Sequence, residues 1–243
     1  MAVQTVSVTR DRPAGTLPLE NGDRLTRGEF HRRYTARPDI TKAELIEGSV
    51  HMRSPVRFYG HGRPHVAILT WIGTYCVHTP GVDAADNTTV RLDLENEVQP
   101  DALLLIEPRA GGRSRLSADD YVEGAPELIV EIAASSAAID LHDKLRAYRR
   151  NGVQEYMVWR VLERQLDWFV LTDDEYRPLT TDPAGILESR LFSGLRLAVD
   201  ALLQGDLARV LSELQNGVRT PEHAAFVERL RSAGDALRHP QNR

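Results

Sequence analysis

The sequence predicts one main domain of the α/β (α+β) class, in which helices flank a mixed β-sheet. Apolar runs of strand length alternate with helical segments in the order helix, three strands, helix, strand, and further strands lie at both ends. This order is typical of sheets that are covered by helices. After Phe192 the pattern changes to two amphipathic segments, which predict a C-terminal helical hairpin.

The 243 residues allow one large domain and a small appendage. We expect a flexible N-terminal arm at 1–22, a main domain at 23–203 and a helical extension at 204–243. In the extension, the second helix is expected to start at the cap Thr220 and to end at Gly234.

The composition is typical of a globular protein, with 42% hydrophobic and 27% charged residues. No apolar signal segment opens the chain and no long apolar window occurs, so we expect a cytoplasmic protein that makes no membrane contact. The net charge of −5 argues against a protein that coats nucleic acid nonspecifically. Residues 24–42 carry a local net charge of +4, which we interpret as a solvated helix face. Cys76 is interpreted as a small core residue.

The first half of the main domain begins with a short helix from Thr26, in TRGEFHRRY. The segment AELIEGSVHMRSP predicts two strands that turn at Glu47–Gly48. Next, HVAILTWIGTYCVH predicts a helix that ends at Pro80–Gly81. The apolar residues that define its buried face are Val66, Leu69, Ile72, Cys76 and Val77.

The second half predicts strands at 87–95, 97–107 and 126–133, with a polar loop between the last two. A helix from Ile139 to Arg150 follows, and Asn151–Gly152 is a good stop signal. The segments VQEYMVWRV, RQLDWFVLT and YRPLT then predict successive strands.

Two carboxylates occupy unusual positions. Glu131 lies in the middle of the apolar run LIVEI, where an unpaired charge would cost several kcal/mol, so it requires a cation or a metal as its partner. Asp101 follows Pro100, which belongs at a strand start, an edge or a bulge. Gln99 and Asp101 share one strand face, and on neighbouring strands Asp101 and Glu131 would converge as Mg²⁺ ligands.

The residues alone leave structural alternatives open. Asp101 could cap a turn, Glu131 could form a structural salt bridge, and Lys144 could be a surface lysine. His61 and His65 are four residues apart, a spacing that suits zinc on one helix face. Gly60, Gly62 and Pro64 argue against a continuous helix through both histidines, and no third zinc ligand is obvious.

Four segments together resemble one bacterial family. They are AELIEGSV, VQPDALLLI, GAPELIVEI and LHDKLRAYRRNGVQEYMVW. From Thr26 to Leu197 the chain resembles the Uma-two family of restriction-endonuclease-like proteins, in the PD-(D/E)XK nuclease superfamily. The resemblance implies a restriction-endonuclease-like core in which Asp101 and Glu131 bind Mg²⁺, with Mn²⁺ as a substitute.

The resemblance also implies a lysine that orients the attacking water. The usual position, two residues after the glutamate, holds Ala133 in this chain. Lys144 on the following helix is the only lysine of the matching segment, and helical spacing places it on one stripe with Asp140 and Tyr148. Glu44 matches an upstream glutamate of the family and is expected to add a third carboxylate to the metal site.

The implied function is Mg²⁺-dependent hydrolysis of DNA phosphodiester bonds by an endonuclease. Two alternatives stay open: the same chemistry on RNA or branched DNA, and a noncatalytic nucleic-acid-binding or protein-interaction module. A homodimer is expected because two sites related by a two-fold axis can cleave both strands of a duplex. The expected substrate contacts are Gln99, His61, Arg109, Arg113 and Arg115.

Overall fold

The structure is a computed structural model, and it describes residues 17–52, 55–134 and 136–238. Most of the predicted N-terminal arm lies outside these residues. Its last part is packed: Leu19 is buried beside Phe30 and Leu45, and the Gly22 N–H donates to the Val50 carbonyl at 2.8 Å.

The first half of the chain forms the elements α1 (Arg27–Thr35), β1 (Ala43–Ile46), β2 (Ser49–Met52), a π-helical turn (Phe58–Gly62), α2 (Arg63–His78), β3 (Val82–Asp86), β4 (Val90–Arg91), β5 (Glu97–Val98), β6 (Ala102–Ile106), a 3₁₀ turn (Pro108–Ala110), β7 (Arg115–Leu116) and β8 (Val122–Glu123).

The second half forms β9 (Leu128–Ala133), α3 (Ala137–Ile139), a second π-helical segment (Asp140–Lys144), α4 (Leu145–Arg150), β10 (Glu155–Arg160), β11 (Gln165–Thr172), β12 (Glu175–Pro178), β13 (Ile186–Glu188), β14 (Arg196–Ala198), α5 (Val199–Gln204), α6 (Leu207–Val218) and α7 (Pro221–Arg238).

The described strands form two six-stranded sheets and a hairpin of β13 and β14. The central sheet has the order β12-β11-β10-β9-β6-β3, and the second sheet has the order β2-β1-β5-β4-β8-β7. In the central sheet β9 and β10 are parallel and the other pairs are antiparallel. The predicted class, mixed sheets flanked by helices, is confirmed.

The central sheet is covered on both faces. Val130 and Ile132 of β9 pack in the cluster that contains α2 and α6, whereas Ile129 and Ala133 pack in the cluster that contains α4. Because side chains alternate along a strand, Glu131 faces the α4 side. The carboxylate is therefore enclosed between the sheet and the helix that follows it.

The predicted strands at 87–95 and 97–107 are too long. The first is paired only over Val90–Arg91, and the second is divided into β5 and β6. The division falls at Pro100, which lacks the N–H that a continuous ladder would need. The polar loop that follows contains β7 and β8, and β8 pairs in parallel with β4.

The predicted buried face of α2 is partly wrong. Val66 and Val77 are exposed, and Ile72 is buried as predicted. The core side of the helix is formed by Ile68, Trp71, Ile72 and Tyr75. Cys76 is partly buried, and burial raises the pKa of its thiol to about 12, so the thiol stays protonated.

The two C-terminal helices pack on the main core. Leu214 of α6 and Phe226 of α7 belong to the same buried cluster as the α2 side chains. The predicted cap is present, since Thr220 Oγ1 accepts the His223 N–H at 3.2 Å. The predicted end at Gly234 is wrong because the helix continues to Arg238. Gly234 lies close to another segment, where an added Cβ would come within 3.2 Å of the Arg109 carbonyl oxygen.

None of the helices in the described part of the chain combines the length and the apolar character needed to cross a membrane.

Glu155 joins the central sheet to the β13–β14 hairpin. Its buried carboxylate accepts hydrogen bonds from Trp168 Nε1 at 3.0 Å and from Ser189 Oγ at 2.9 Å. It also accepts the backbone N–H groups of Arg190 and Leu191 at 2.7 and 3.0 Å. Burial raises the pKa of Glu155, and these donors offset part of that rise.

We expect Glu155→Ala to lower the free energy of unfolding by about 3–5 kcal/mol, because several buried donors lose their acceptor together. Urea unfolding measures this change. Glu175→Ala is the control, since that side chain is 67% exposed and its loss should cost less than about 1 kcal/mol. Equal losses in the two variants would contradict the role assigned to Glu155.

Candidate active site

Glu131 receives its compensating charge from the helix that follows the strand. Its side chain is 0% exposed, and its Oε1 lies 2.8 Å from Lys144 Nζ and accepts the Tyr148 hydroxyl at 2.9 Å. Burial, followed by the negative charge of Glu131, raises the pKa of Tyr148 well above its ordinary value. The tyrosine therefore stays protonated and remains a donor to the carboxylate.

Lys144 is enclosed by acidic groups. Its side chain is 1% exposed, and Nζ lies 2.8 Å from Glu44 Oε1 as well as from Glu131. Asp140 Oδ1 lies 3.8 Å away on the same helical segment. Asp140, Lys144 and Tyr148 are all buried, as their predicted common stripe requires. The wider π-helical turn at 140–144 offsets the rotation that an α-helix accumulates between residues spaced by four.

Asp101 lies opposite Glu131. The register of β6 and β9 pairs Ala102 with Val130, and its extension by one residue sets the backbone of Asp101 level with Glu131. Asp101 is 0% exposed, and its Oδ2 accepts the Ile132 N–H at 2.8 Å. The side chain thus takes the place of a backbone acceptor where the strand is interrupted.

Two basic residues face the other oxygen of Asp101. Lys42 Nζ and His61 Nε2 each lie 3.2 Å from Asp101 Oδ1. His65 Nε2 lies 2.6 Å from the Asp101 carbonyl oxygen and 3.0 Å from Asp86 Oδ1. Both the side chain and the backbone of Asp101 are therefore held by basic residues.

The histidines correct one prediction. The π-helical turn Phe58–Gly62 leads directly into α2, so His61 and His65 do lie on one continuous helical segment, with ring centroids 5.2 Å apart. Gly62 adopts helical angles, and Pro64 lies in the first turn of α2, where a missing N–H costs little. Both rings contact Asp101, and no third ligand that would complete a zinc site occurs among the described residues.

Glu44 and Gln99 connect the second sheet to this site. Glu44 lies on β1, and its Oε1 accepts the Gln99 N–H at 2.8 Å. The Gln99 side chain donates to Tyr34 Oη at 3.1 Å and Thr89 Oγ1 at 3.2 Å. The backbone N–H of Gln99 therefore positions the Glu44 carboxylate, whereas the side-chain amide of Gln99 donates hydrogen bonds to α1 and to the residue before β4.

Lys42 is the site residue that sequence reasoning missed, and His65 was considered only as a zinc ligand. Lys42 was interpreted as part of a solvated basic run, but its side chain is only 17% exposed and reaches Asp101. A signal was present, since Lys42 and Glu44 are two residues apart on an extended segment and so share one face.

The three loop arginines have partners outside this group. Arg109 pairs with Glu107, and Arg115 Nη2 lies 2.6 Å from Glu123 Oε2. Arg113 Nη1 donates to the Gly152 carbonyl at 3.5 Å. In the structure none of these contacts reaches Asp101, Glu131 or Glu44.

The donor chemistry fits a hard divalent cation, because Asp101, Glu131 and Glu44 supply carboxylate oxygens. The side chains are not arranged as a metal site in this structure. Among the described residues, no three His, Cys, Asp or Glu side chains are placed to hold one ion. Lys144 instead lies between Glu44 and Glu131. A metal ion would compete with this ammonium group for the carboxylates.

A protein-family model matches most of the chain. Residues 27–200 match the family model Uma2, which is described as "Putative restriction endonuclease". The chain belongs to the Uma2 family. The match spans nearly the same residues as the resemblance seen in the sequence motifs, which is thereby confirmed. Family membership and the fold support nuclease activity.

One solved structure shows the same fold. It is the crystal structure of a putative nuclease belonging to DUF820 from Anabaena variabilis ATCC 29413. The Anabaena protein and the present chain are 14% identical in sequence. Their structural alignment covers 71% of the present chain and 96% of the Anabaena chain, with a TM-score of 0.56. The restriction-endonuclease-like core predicted from the sequence is confirmed. No curated protein gives a significant match.

We expect Lys144→Met to lower the free energy of unfolding by about 3–5 kcal/mol, because it removes the ammonium group that lies between two buried carboxylates. Arg146→Met is the matched control on the same helix, where the side chain is 52% exposed, and its cost should stay below about 1 kcal/mol. Urea unfolding measures both values. Adding Glu131→Gln to Lys144→Met should recover part of the loss, and no recovery would argue against a direct pair.

Proposed function

We propose that this Uma2 protein is a cytoplasmic, Mg²⁺-dependent endonuclease that hydrolyses phosphodiester bonds of DNA. One observation carries the proposal: Asp101, directly before β6, and Glu131, on the neighbouring strand β9, are both buried, and Lys144 Nζ lies 2.8 Å from Glu131. Two carboxylates and a lysine at one point of a sheet are suited to metal-assisted hydrolysis.

Asp101 and Glu131 would hold the ion, and Glu44 would add a third carboxylate. Mg²⁺, or Mn²⁺ in its place, supplies Lewis acidity that polarises a phosphoryl oxygen and lowers the pKa of a bound water. The chain holds these carboxylates firmly, because the Ile132 N–H fixes Asp101 and the Tyr148 hydroxyl fixes Glu131.

Lys144 has two proposed roles. Its ammonium group would orient the attacking water through a hydrogen bond and would offset the negative charge that develops on the phosphoryl group. The flanking carboxylates of Glu44 and Glu131 keep Nζ between them, at 2.8 Å from each. His61 lies beside Asp101 near the opening of α2, and we propose that it contacts the substrate phosphate.

The buried set also bears on the alternatives. A noncatalytic binding module has no chemical need for two carboxylates and a lysine in the interior, whereas hydrolysis of DNA, RNA or branched DNA needs the same groups. We favour DNA as the polymer and a homodimer as the acting form, since two related sites can cleave both strands.

We expect the purified protein to cleave DNA when Mg²⁺ or Mn²⁺ is added, and EDTA to abolish cleavage. The assay compares supercoiled plasmid, linear duplex, single-stranded DNA and RNA. Glu131→Gln, Asp101→Asn and Lys144→Met should each reduce the rate by about 100-fold or more, because each removes a group that acts on the reacting atoms.

Glu175→Gln, an exposed carboxylate on an edge strand, should leave the rate unchanged. Cleavage that survives both Glu131→Gln and Asp101→Asn would place the activity elsewhere. If only RNA is cleaved, RNA and not DNA is the substrate. If no polymer is cleaved, the noncatalytic binding module is favoured.

Metal binding gives an independent measurement. We expect calorimetric titration with Mn²⁺ to show binding to the wild type that weakens by at least about tenfold in Asp101→Asn and Glu131→Gln, because each loses a charged ligand. Glu175→Gln should bind like the wild type. Unchanged affinity in both site variants would exclude these carboxylates as ligands.

A further inference from the structure

An apolar pocket of about 410 Å³ lies beside the start of α2. Its floor is formed by the end of β10 and the junction of α5 and α6. The apolar residues that line it include Ala67, Trp159, Val161, Leu202 and Leu207. A pocket of this volume is large enough to enclose one planar ring system.

The rim of the pocket is aromatic and cationic. Tyr59 is 74% exposed, and the neighbouring Phe58 is 68% exposed with its ring 4.9 Å from that of Tyr59. Arg63 and Arg164 also line the pocket. Arg63 and Arg164 therefore add two positive charges to the lining of the pocket.

The pocket and the candidate active site are joined by one helical segment. Tyr59 and His61 are two residues apart, which places them on nearly opposite sides of a helix. His61 points to Asp101, at 3.2 Å from its Oδ1, whereas Tyr59 lies at the pocket. One turn of this segment thus contributes both a contact to Asp101 and an aromatic ring to the pocket.

We propose that this pocket binds one unpaired nucleobase of the strand that is cleaved. The base would stack on Tyr59 above the apolar walls, and Arg63 and Arg164 would contact the adjoining phosphates. Aromatic rings combined with basic side chains are the groups that bind single strands without sequence preference. The proposal rests on the nuclease function above and narrows its substrate to single-stranded or locally unpaired nucleic acid.

The test is metal-free binding, measured in EDTA by fluorescence anisotropy. The probes are a labelled DNA single strand, the same sequence as a blunt duplex, and that duplex with one bulged nucleotide. We expect Tyr59→Ala and Arg63→Ala to weaken binding of the single strand and the bulged duplex by about tenfold, and that of the blunt duplex by less than about twofold. Tyr59→Phe, which keeps the ring, should bind like the wild type.

The controls are Val77→Ala, an 80% exposed residue at the other end of α2, and Arg231→Ala on α7, and neither should change binding. The proposal would be overturned if Tyr59→Ala and Arg63→Ala weakened binding of all three probes equally or of none. It would also be overturned if the wild type bound the blunt duplex more tightly than the other probes, or bound no probe. A dimer in light scattering that Tyr59→Ala dissociates would overturn it as well, because a second copy would then cover the pocket.

The binding assay contains no metal and requires no cleavage, so the two proposals fail separately. If the protein binds unpaired DNA selectively but does not cleave it with Mg²⁺ or Mn²⁺, the proposed base-binding pocket is supported and the proposed nuclease activity is rejected. If cleavage depends on metal but Tyr59→Ala does not change binding, the nuclease activity is supported and the base-binding pocket is rejected.

Discussion

The ion pair between Glu131 and Lys144 is the interaction on which the rest of the structure depends. A carboxylate in the middle of a strand that is buried on both faces is tolerated only if a cation reaches it from one side. The segment 137–150 must therefore lie on the Glu131 face, with the rotation that turns Lys144 and Tyr148 inward. Apolar contacts of Ala147 and Tyr148 with the strand stabilise that same rotation.

The same lysine couples the two sheets, since Glu44 of β1 lies as close to it as Glu131 does. Pro100 lies between β5 of the second sheet and β6 of the central sheet, and it interrupts the backbone hydrogen bonding there. The side chain of Asp101 then accepts the Ile132 N–H. Each acidic residue of the site thus has a structural partner. Any ligand that binds these carboxylates must compete with the protein's own cations, which ties the fold's stability to its proposed chemistry.

Local signals made much of the fold predictable. The turn at Glu47–Gly48 and the helix end at Asn151–Gly152 were predicted correctly because they depend on nearby residues. The helix through His61 was not, since the glycines on either side favour a break and the contact of His61 with Asp101 is distant in sequence. Lys42 was missed because its partner lies 59 residues away, and its spacing from Glu44 indicates a shared face but not which residue it contacts.

The net charge of −5 limits how this protein can bind a polyanion. General electrostatic attraction is weak, so affinity must come from a few placed arginines and from contacts that do not depend on charge. Stacking of a base on Tyr59 is such a contact, and it is open only to a base that is not already stacked in a duplex. An acidic chain with an exposed aromatic pair beside its buried carboxylates is therefore better suited to distinguish unpaired from paired strands than to hold duplex DNA by its phosphates. The first turns of one helical segment would then serve both recognition and cleavage, because His61 and Tyr59 point to its two sides.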